Sequence, residues 1–293
     1  MADELKQGLV EFLNELGRAQ LEVYLGGGYG LYLRQLSLLD SDVRTYLPRE
    51  AWPRPRATAD LDVFLPTELV IEHTSMVRVR QVLDQLRYRP VPGHEYLHFA
   101  RNDGAGEVRI ELLTGPVTPD LHDKVKVRDL RVRPRKTVQL HAYLTEEAID
   151  LERKPIELTV DGTIVRIPNS FSFVLMKLHA FRDRMEQVRD EEDRQLGRHH
   201  ALDVYRLIAM LTEEEESFVR GRHDARRDSA PVRAAAGVVA QYFSGPTALG
   251  VLRLREHSLA GDHLDIPGFL EMLGDLFGGE SGPPDGGEGA RRP

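Results

Sequence analysis

The sequence predicts an α/β (α+β) fold in which an α/β half, residues 1–168, precedes a helical half, residues 169–277. Three observations predict it. Before Pro168, short runs alternate apolar and polar residues and are separated by turns rich in Gly, Asn and Asp. After Pro168, apolar residues recur at helical spacing. Between residues 21 and 39 a strand, a glycine turn and a helix follow one another without interruption.

Leu5, Leu9, Phe12 and Leu16 mark one face of a helix over residues 3–16, and Gly17 stops it. LEVYL, residues 21–25, reads as a strand that runs into Gly26-Gly27-Gly28-Tyr29-Gly30. Tyr29, Tyr32, Leu33, Leu36 and Leu39 then fall on one face of a second helix. A loop rich in Pro and Arg, residues 40–57, leads to the strand that begins at Asp60, and a helix follows over residues 67–87. HEYLHFARNDGAGEVRIELL is a hairpin that turns at Asn102-Asp103-Gly104 through Gly106; on its second strand Arg109 and Glu111 share a face opposite Val108, Ile110 and Leu112. Further strands are expected near 137–144 and on either side of Asp161-Gly162, a two-residue hairpin turn. Asn169 or Ser170 caps a helix carrying Phe171, Val174, Leu175 and Leu178. Helical patterns continue over 202–211, 231–243 and 269–277, and Glu213 to Glu216 read as the first turn of another helix. Residues 278–293 have the composition of a disordered tail.

With 41% apolar residues among 293, the chain can bury a sizeable core. It has no cysteine, which excludes a disulfide framework and a Cys-based zinc site and makes a reducing cytosol the expected setting. No apolar run reaches the ~18 residues of a membrane span, and the N-terminal segment lacks the apolar centre of a signal peptide. No membrane partner and a cytoplasmic location are therefore expected. A net charge of −8 argues against a surface coated for nucleic acid, but the segment from Lys124 to Lys136 is locally basic. Lys, Arg and Pro also protect a strand edge, so that segment has two readings.

The chemistry begins at RATADLDVFLP. Asp60 and Asp62 lie two apart on a strand, so their carboxylates project from the same face while Leu61 and Val63 point away. Adjacent like charges are unfavourable, and a divalent cation between them is one remedy. Glu111 supplies a third carboxylate on another strand.

Taken together, the glycine turn before a helix, R-x-T-x-D-L-D from Arg56 to Asp62, and Glu111 resemble the nucleotidyltransferase superfamily that includes DNA polymerase β. The narrower resemblance is to the AbiEii-like nucleotidyltransferases of type IV toxin–antitoxin systems. KLHAFRDR at 177–184 and HHALDVYRL at 199–207 look like the helical signature of that family, so the likeness runs from about Leu21 to Leu211. The resemblance implies a Pol β-like mixed-sheet domain followed by a helical domain. It implies Asp60, Asp62 and Glu111 as catalytic residues and ligands of two magnesium ions. It implies a nucleotide site of Gly27, Gly28, Tyr29, Arg56, Lys177 and Asp203, with Lys177 on the β- and γ-phosphates and Asp203 orienting Lys177 or meeting the sugar. Arg34 is a further candidate, and for both arginines pairing with a nearby acid is the competing reading. The implied activity is transfer of an NMP from an NTP to an acceptor hydroxyl, first of all on RNA such as a tRNA 3′ end. Segment 124–136 and the arginines of 220–227 are the expected RNA contacts, and a cognate antitoxin is an implied partner.

One departure stands out. The family places Ser or Thr after the glycine pair, where this chain has Tyr29, so backbone donors must carry that phosphate contact. An aminoglycoside-type small molecule, a protein hydroxyl, and a catalytically silent nucleotide-binding module of the same fold stay open as alternatives. His94-Glu95-Tyr96-Leu97-His98 also spells H-E-x-x-H, which binds zinc only on a helix; the flanking Pro90, Pro92 and Gly93 leave too little room for one and favour a strand. His199 and His200 read as an exposed pair rather than a metal site.

Overall fold

The computed structural model describes residues 2–56, 58–102, 106–187 and 191–278. Helix α1 (Ala2–Arg18) is followed by strand β1 (Tyr24–Leu25), helix α2 (Gly27–Leu39) and strand β2 (Asp60–Leu65). Then come α3 (Thr67–Ile71), α4 (His73–Gln85), β3 (Arg89–Pro90), β4 (His98–Asn102) and β5 (Glu107–Thr114). The strands β6 (Val125–Arg128), β7 (Arg131–Pro134) and β8 (Ala142–Leu144) precede a separate hairpin, β9 (Ile156–Val160) and β10 (Thr163–Ile167). The helical part comprises α5 (Ser170–Glu186), α6 (Glu191–Ala209), α7 (Glu213–Arg226), α8 (Ala230–Tyr242), α9 (Leu249–Arg255) and α10 (Ile266–Phe277). No described helix is long and apolar enough to cross a membrane.

The main sheet is mixed. Its strands run β1-β2-β5-β8-β7-β6, with β4 and β3 continuing from the first half of β5. β2 is parallel to β5 and β5 to β8, and the other neighbours are antiparallel. One face is apolar: Leu61, Val63, Leu65, Phe99, Val108, Ile110 and Leu112 are buried, with α1 packed on β2 and β5 and α4 packed on α1. The opposite face carries Asp60, Asp62, Arg109 and Glu111, and this alternation is the one the sequence predicts for both strands.

Several elements differ from expectation. The strand of residues 21–25 contracts to two residues because β1 pairs only with the far half of β2. The helix expected over 67–87 breaks at Glu72, whose backbone is extended (φ −89°, ψ 111°) and whose carboxylate accepts the Thr74 and Ser75 hydroxyls at the start of α4. In α2 the buried residues include Leu31, Arg34, Gln35 and Leu38, while Leu39 is exposed. That helix has neighbours on several sides, β2, α6 and β9, so a single stripe does not describe it. The turn expected at Asn102-Asp103-Gly104 falls partly outside the described residues, as does the tail from residue 279 onward.

Other expectations are met. Asp161 (φ 47°) and Gly162 (φ 79°) both take the left-handed backbone that a tight primed hairpin turn requires. Asn169 caps α5, its side-chain oxygen accepting the Ser172 amide at 2.9 Å, while its amide nitrogen donates to the carbonyls of Asp150 and Arg153. Thr212 and Glu215 form a reciprocal capping box at the start of α7. The basic segment 124–136 becomes the β6–β7 hairpin, with β6 at the sheet edge.

Candidate active site

Register brings the carboxylates together. Asp62 on β2 is the direct partner of Glu111 on β5, and Glu111 is the direct partner of His98 on β4. Paired residues project from the same face, so Asp62, Glu111 and His98 form one row across three strands. Asp60 lies two residues back on that face, opposite Arg109 and exposed.

The glycine turn is hung beside Asp62. β1 places Leu25 opposite Val63, and the Gly26 amide donates to the Asp62 carbonyl at 2.8 Å. Gly27 has φ +62°, and a Cβ there would stand 1.6 Å from Asp62 Oδ2. Conformation and space both require glycine. A Cβ on Gly28 would meet Thr58 Cγ2 at 2.2 Å and Arg56 Nη2 at 2.9 Å, so the arginine and threonine ahead of the Asp pair lie directly over the turn. Gly27 and Gly28 open α2, where amides have no intrahelical acceptor. Such a helix start suits an anion.

Lys177 arrives from α5, whose residues Phe173, Met176, Lys177, Ala180 and Arg184 sit at helical spacing and line one wall of a cleft. Gly27, Asp62, Phe64 and Glu111 line the other wall, and the cleft encloses about 480 Å³. Lys177 Nζ lies 2.8 Å from Asp203 Oδ2. The same carboxylate receives Arg56 at 3.1 Å and Arg206 at 3.1 Å. Arg206 is fully buried and donates through Nε to Gln35 on α2 at 2.8 Å, which ties this hub to the glycine-turn helix.

Charge is therefore sorted into two adjoining groups. In the hub, burial alone would raise the Asp203 carboxyl, yet Lys177, Arg56 and Arg206 hold it well below the usual carboxylate range. One anion against three cations leaves positive charge in excess. In the acidic row, burial first and Glu111 second push Asp62 up to about 7, with Asp60 adding to the rise while Lys177 and Arg56 oppose it. Burial first and Asp60 second raise Glu111 as well.

Carboxylate oxygens are the donors magnesium prefers, and Asp60, Asp62 and Glu111 fit it in kind and in their shared face. Among the described residues, however, no three His, Cys, Asp or Glu side chains already stand at metal-holding distance from one point. The three carboxylates would have to turn towards a common ion.

The other expected site residues divide. Tyr29 projects its ring into the core, 1% exposed, where it stacks on Tyr32 at 5.6 Å; only its main chain belongs to the glycine turn. Asp203 is fully buried beneath its three cations, Lys177, Arg56 and Arg206. Arg34 is buried against Glu215 at 2.5 Å, away from the cleft. Of the arginines of 220–227, Arg222 and Arg226 both hold Asp150, and Arg220 pairs with Glu216, so they are engaged as structural partners.

His98 was hidden from sequence reasoning, because only the β4–β5 register brings it to Glu111, 3.4 Å from Nε2 to Oε1. Tyr143, Thr145 and Glu147 line the cleft without any motif to announce them, and Asp183, within KLHAFRDR, lines it too. The H-E-x-x-H stretch makes one isolated helical turn, the His98 amide donating to the His94 carbonyl at 3.0 Å, before β4 begins. Its rings stack at 4.5 Å, and Glu95 turns back to accept the Gly93 amide. His199 and His200 are half-buried rather than exposed. His257 Nδ1 accepts the Leu259 amide, so its Nε2 carries the proton and donates to His199 Nδ1 at 2.8 Å. His200 lines the cleft and stays neutral, burial first and Lys177 second pushing its ring down to about 3.

No protein-family model matches this chain, and no curated protein matches it. Three solved structures show likeness. A nucleotidyltransferase-like antigenic protein from Paracoccidioides brasiliensis is 15% identical over 85% of this chain and 93% of its own, with a TM-score of 0.47. The antibiotic-resistance factor ANT(2'')-Ia in solution is 12% identical over 78% of this chain and 97% of its own, with a TM-score of 0.37. A crystal structure of ANT(2'')-Ia with adenylyl-2''-tobramycin is 14% identical over 76% and 98%, with a TM-score of 0.36.

Proposed function

We propose that this protein is a magnesium-dependent nucleotidyltransferase that moves an NMP from an NTP to an acceptor hydroxyl. One observation carries the reading: a buried hub of excess positive charge that includes Lys177 adjoins a carboxylate row, beside a glycine turn at a helix start. A magnesium-bound triphosphate is a ligand of both signs, and it complements both groups at once.

In this reading the main-chain amides of Gly27 and Gly28 and the cations of Lys177 and Arg56 receive the phosphates. Asp203 and Arg206 position Lys177 and Arg56 from behind. Bound magnesium, held by Asp60, Asp62 and Glu111, supplies charge neutralisation at the phosphates and lowers the cost of ionising the acceptor. The acceptor oxygen forms a bond to the α-phosphorus, the bond from that phosphorus to its bridging oxygen breaks, and pyrophosphate leaves with the bonding electrons. The hydroxyl proton passes to a Glu111 carboxylate oxygen. Lys177 meets the charge that grows on the departing pyrophosphate. No Ser or Thr hydroxyl follows the glycine pair, and Thr58, which packs on Gly28, donates its own to the Asp60 carbonyl at 3.3 Å. Backbone donors therefore carry the phosphate contact in that turn.

RNA is the favoured acceptor, in line with the AbiEii-like resemblance. A small cationic polyol is the second reading, favoured by Glu147 and Asp183 on the cleft wall beyond Glu111. The test offers each α-labelled NTP with magnesium to total RNA, aminoglycosides and cell protein, comparing wild type with Asp62→Ala. Label on one acceptor class, lost in the variant, is expected. No label with any of the four nucleotides would count against transfer and for a silent nucleotide-binding module.

A further inference from the structure

The register that assembles the acidic row also leads out of the cleft. Two residues beyond Asp62 and Glu111 on the same face, a second row crosses the sheet through direct partners: Phe64, Leu113, Tyr143, Arg131 and Arg128. Phe64, Leu113 and Tyr143 line the cleft. Tyr143 is 37% exposed, and the row then becomes cationic. Arg133 on β7 and its partner Lys126 on β6 continue the same face one step further along. From β5 to β6 the row spans three strand spacings, roughly 14 Å.

Edge protection does not account for these charges. It covers β6, the outermost strand, but β7 lies inside the sheet with β8 on its other side, and Arg131 and Arg133 stand on β7. Val132 and Pro134, on the reverse of β7, are buried, and α3 packs on that strand. Few neighbouring acids oppose these charges, Glu95 near Arg131 being one. Among the described residues Lys126, Arg131 and Arg133 have no carboxylate within ion-pair distance, and Arg128 has only the open-turn Asp129, with both side chains more than four-fifths exposed. Cations with few counter-ions, beside an exposed aromatic ring, are the features that hold single-stranded nucleic acid.

We infer that the β8–β7–β6 face is a docking track for single-stranded RNA, with phosphates over Arg131, Arg133, Lys126 and Arg128 and a base near the 3′ end against Tyr143. The 3′ hydroxyl then points along the row towards Glu111. A cleft of about 480 Å³ between the sheet and α5 has room for a terminal nucleotide but not for a duplex. The direction of entry rests on the nucleotidyl-transfer reading; the binding face does not.

The test measures fluorescence anisotropy of a short 5′-labelled single-stranded RNA with the full chain across a salt series, and NTP binding by calorimetry on the same preparations. The Lys126→Glu, Arg128→Glu double variant should bind RNA about tenfold or more weakly with a shallower salt slope, and should bind NTP as wild type does. Tyr143→Ala should weaken RNA binding and leave the salt slope unchanged, since it removes stacking rather than charge. Wild type that ignores the RNA, a double variant that binds it undiminished, or an equal-length duplex that competes as well as the single strand would each overturn the track. If RNA behaves as expected while wild type binds no NTP, the track stands and the transfer reading fails alone.

Discussion

Asp62 is held where an ionised carboxylate is least at home. It is recessed between strands, partnered by Glu111 and pressed against Gly27, so its proton is held up to about 7. In EDTA-treated protein at pH 8, Asp62→Asn should therefore melt at a higher temperature than wild type, and adding magnesium should raise the wild-type melting temperature more than that of the variant. An Asp62→Asn protein that melts lower without metal would contradict the charge account. At this scale the sequence was informative where chemistry repeats locally. Asp60 and Asp62 on one face follow from strand geometry, and Gly27 and Gly28 from the need for close approach. Tyr29 shows the limit: its place after the glycine pair does not reveal that its ring turns into the core, because that depends on how α2 sits against its neighbours. Asp203 shows another, since three cations from distant segments decide that it is buried rather than presented.

At the scale of elements, α7 is fastened to the segment before β9 by Asp150, whose side chain is 4% exposed and bridges Arg222 and Arg226. Burial acts to raise this carboxyl, but the two arginines prevail and lower it from 3.8 to about 2. The folded state thus binds the proton less tightly than the unfolded chain. The stabilisation is complete above the unfolded value, near pH 4, and is lost as pH falls towards 2. Asp150→Asn should cost about 2 kcal/mol of stability at pH 7 and show a correspondingly smaller loss between pH 4 and pH 2, read from urea unfolding at each pH. The strand that carries Glu111 was legible from its alternation, but its parallel pairing with β2, some fifty residues distant, was not. That pairing is long-range and leaves no local mark, and His98 and Tyr143 stayed invisible for the same reason. Glu72 broke an expected helix through side-chain bonds to Thr74 and Ser75 that residue spacing alone does not disclose.

Across the whole molecule, the cleft exists because the helical part delivers Lys177 and Asp203 to the sheet face that carries Asp62 and Glu111. Arg206 and Gln35 couple α6 to α2, and Gln35 also donates to the Pro53 carbonyl, so the glycine turn, the Arg56 segment and the lysine share one buried network. The boundary proposed near Pro168 thus runs through the candidate site rather than beside it. The most direct test is calorimetric titration of each NTP into the full chain, with and without magnesium, for wild type and Lys177→Met. The account predicts magnesium-dependent binding of at least one nucleotide, weakened about tenfold or more in the variant by loss of a phosphate-binding cation. Binding that ignores both magnesium and Lys177, or no binding of any nucleotide, would contradict it.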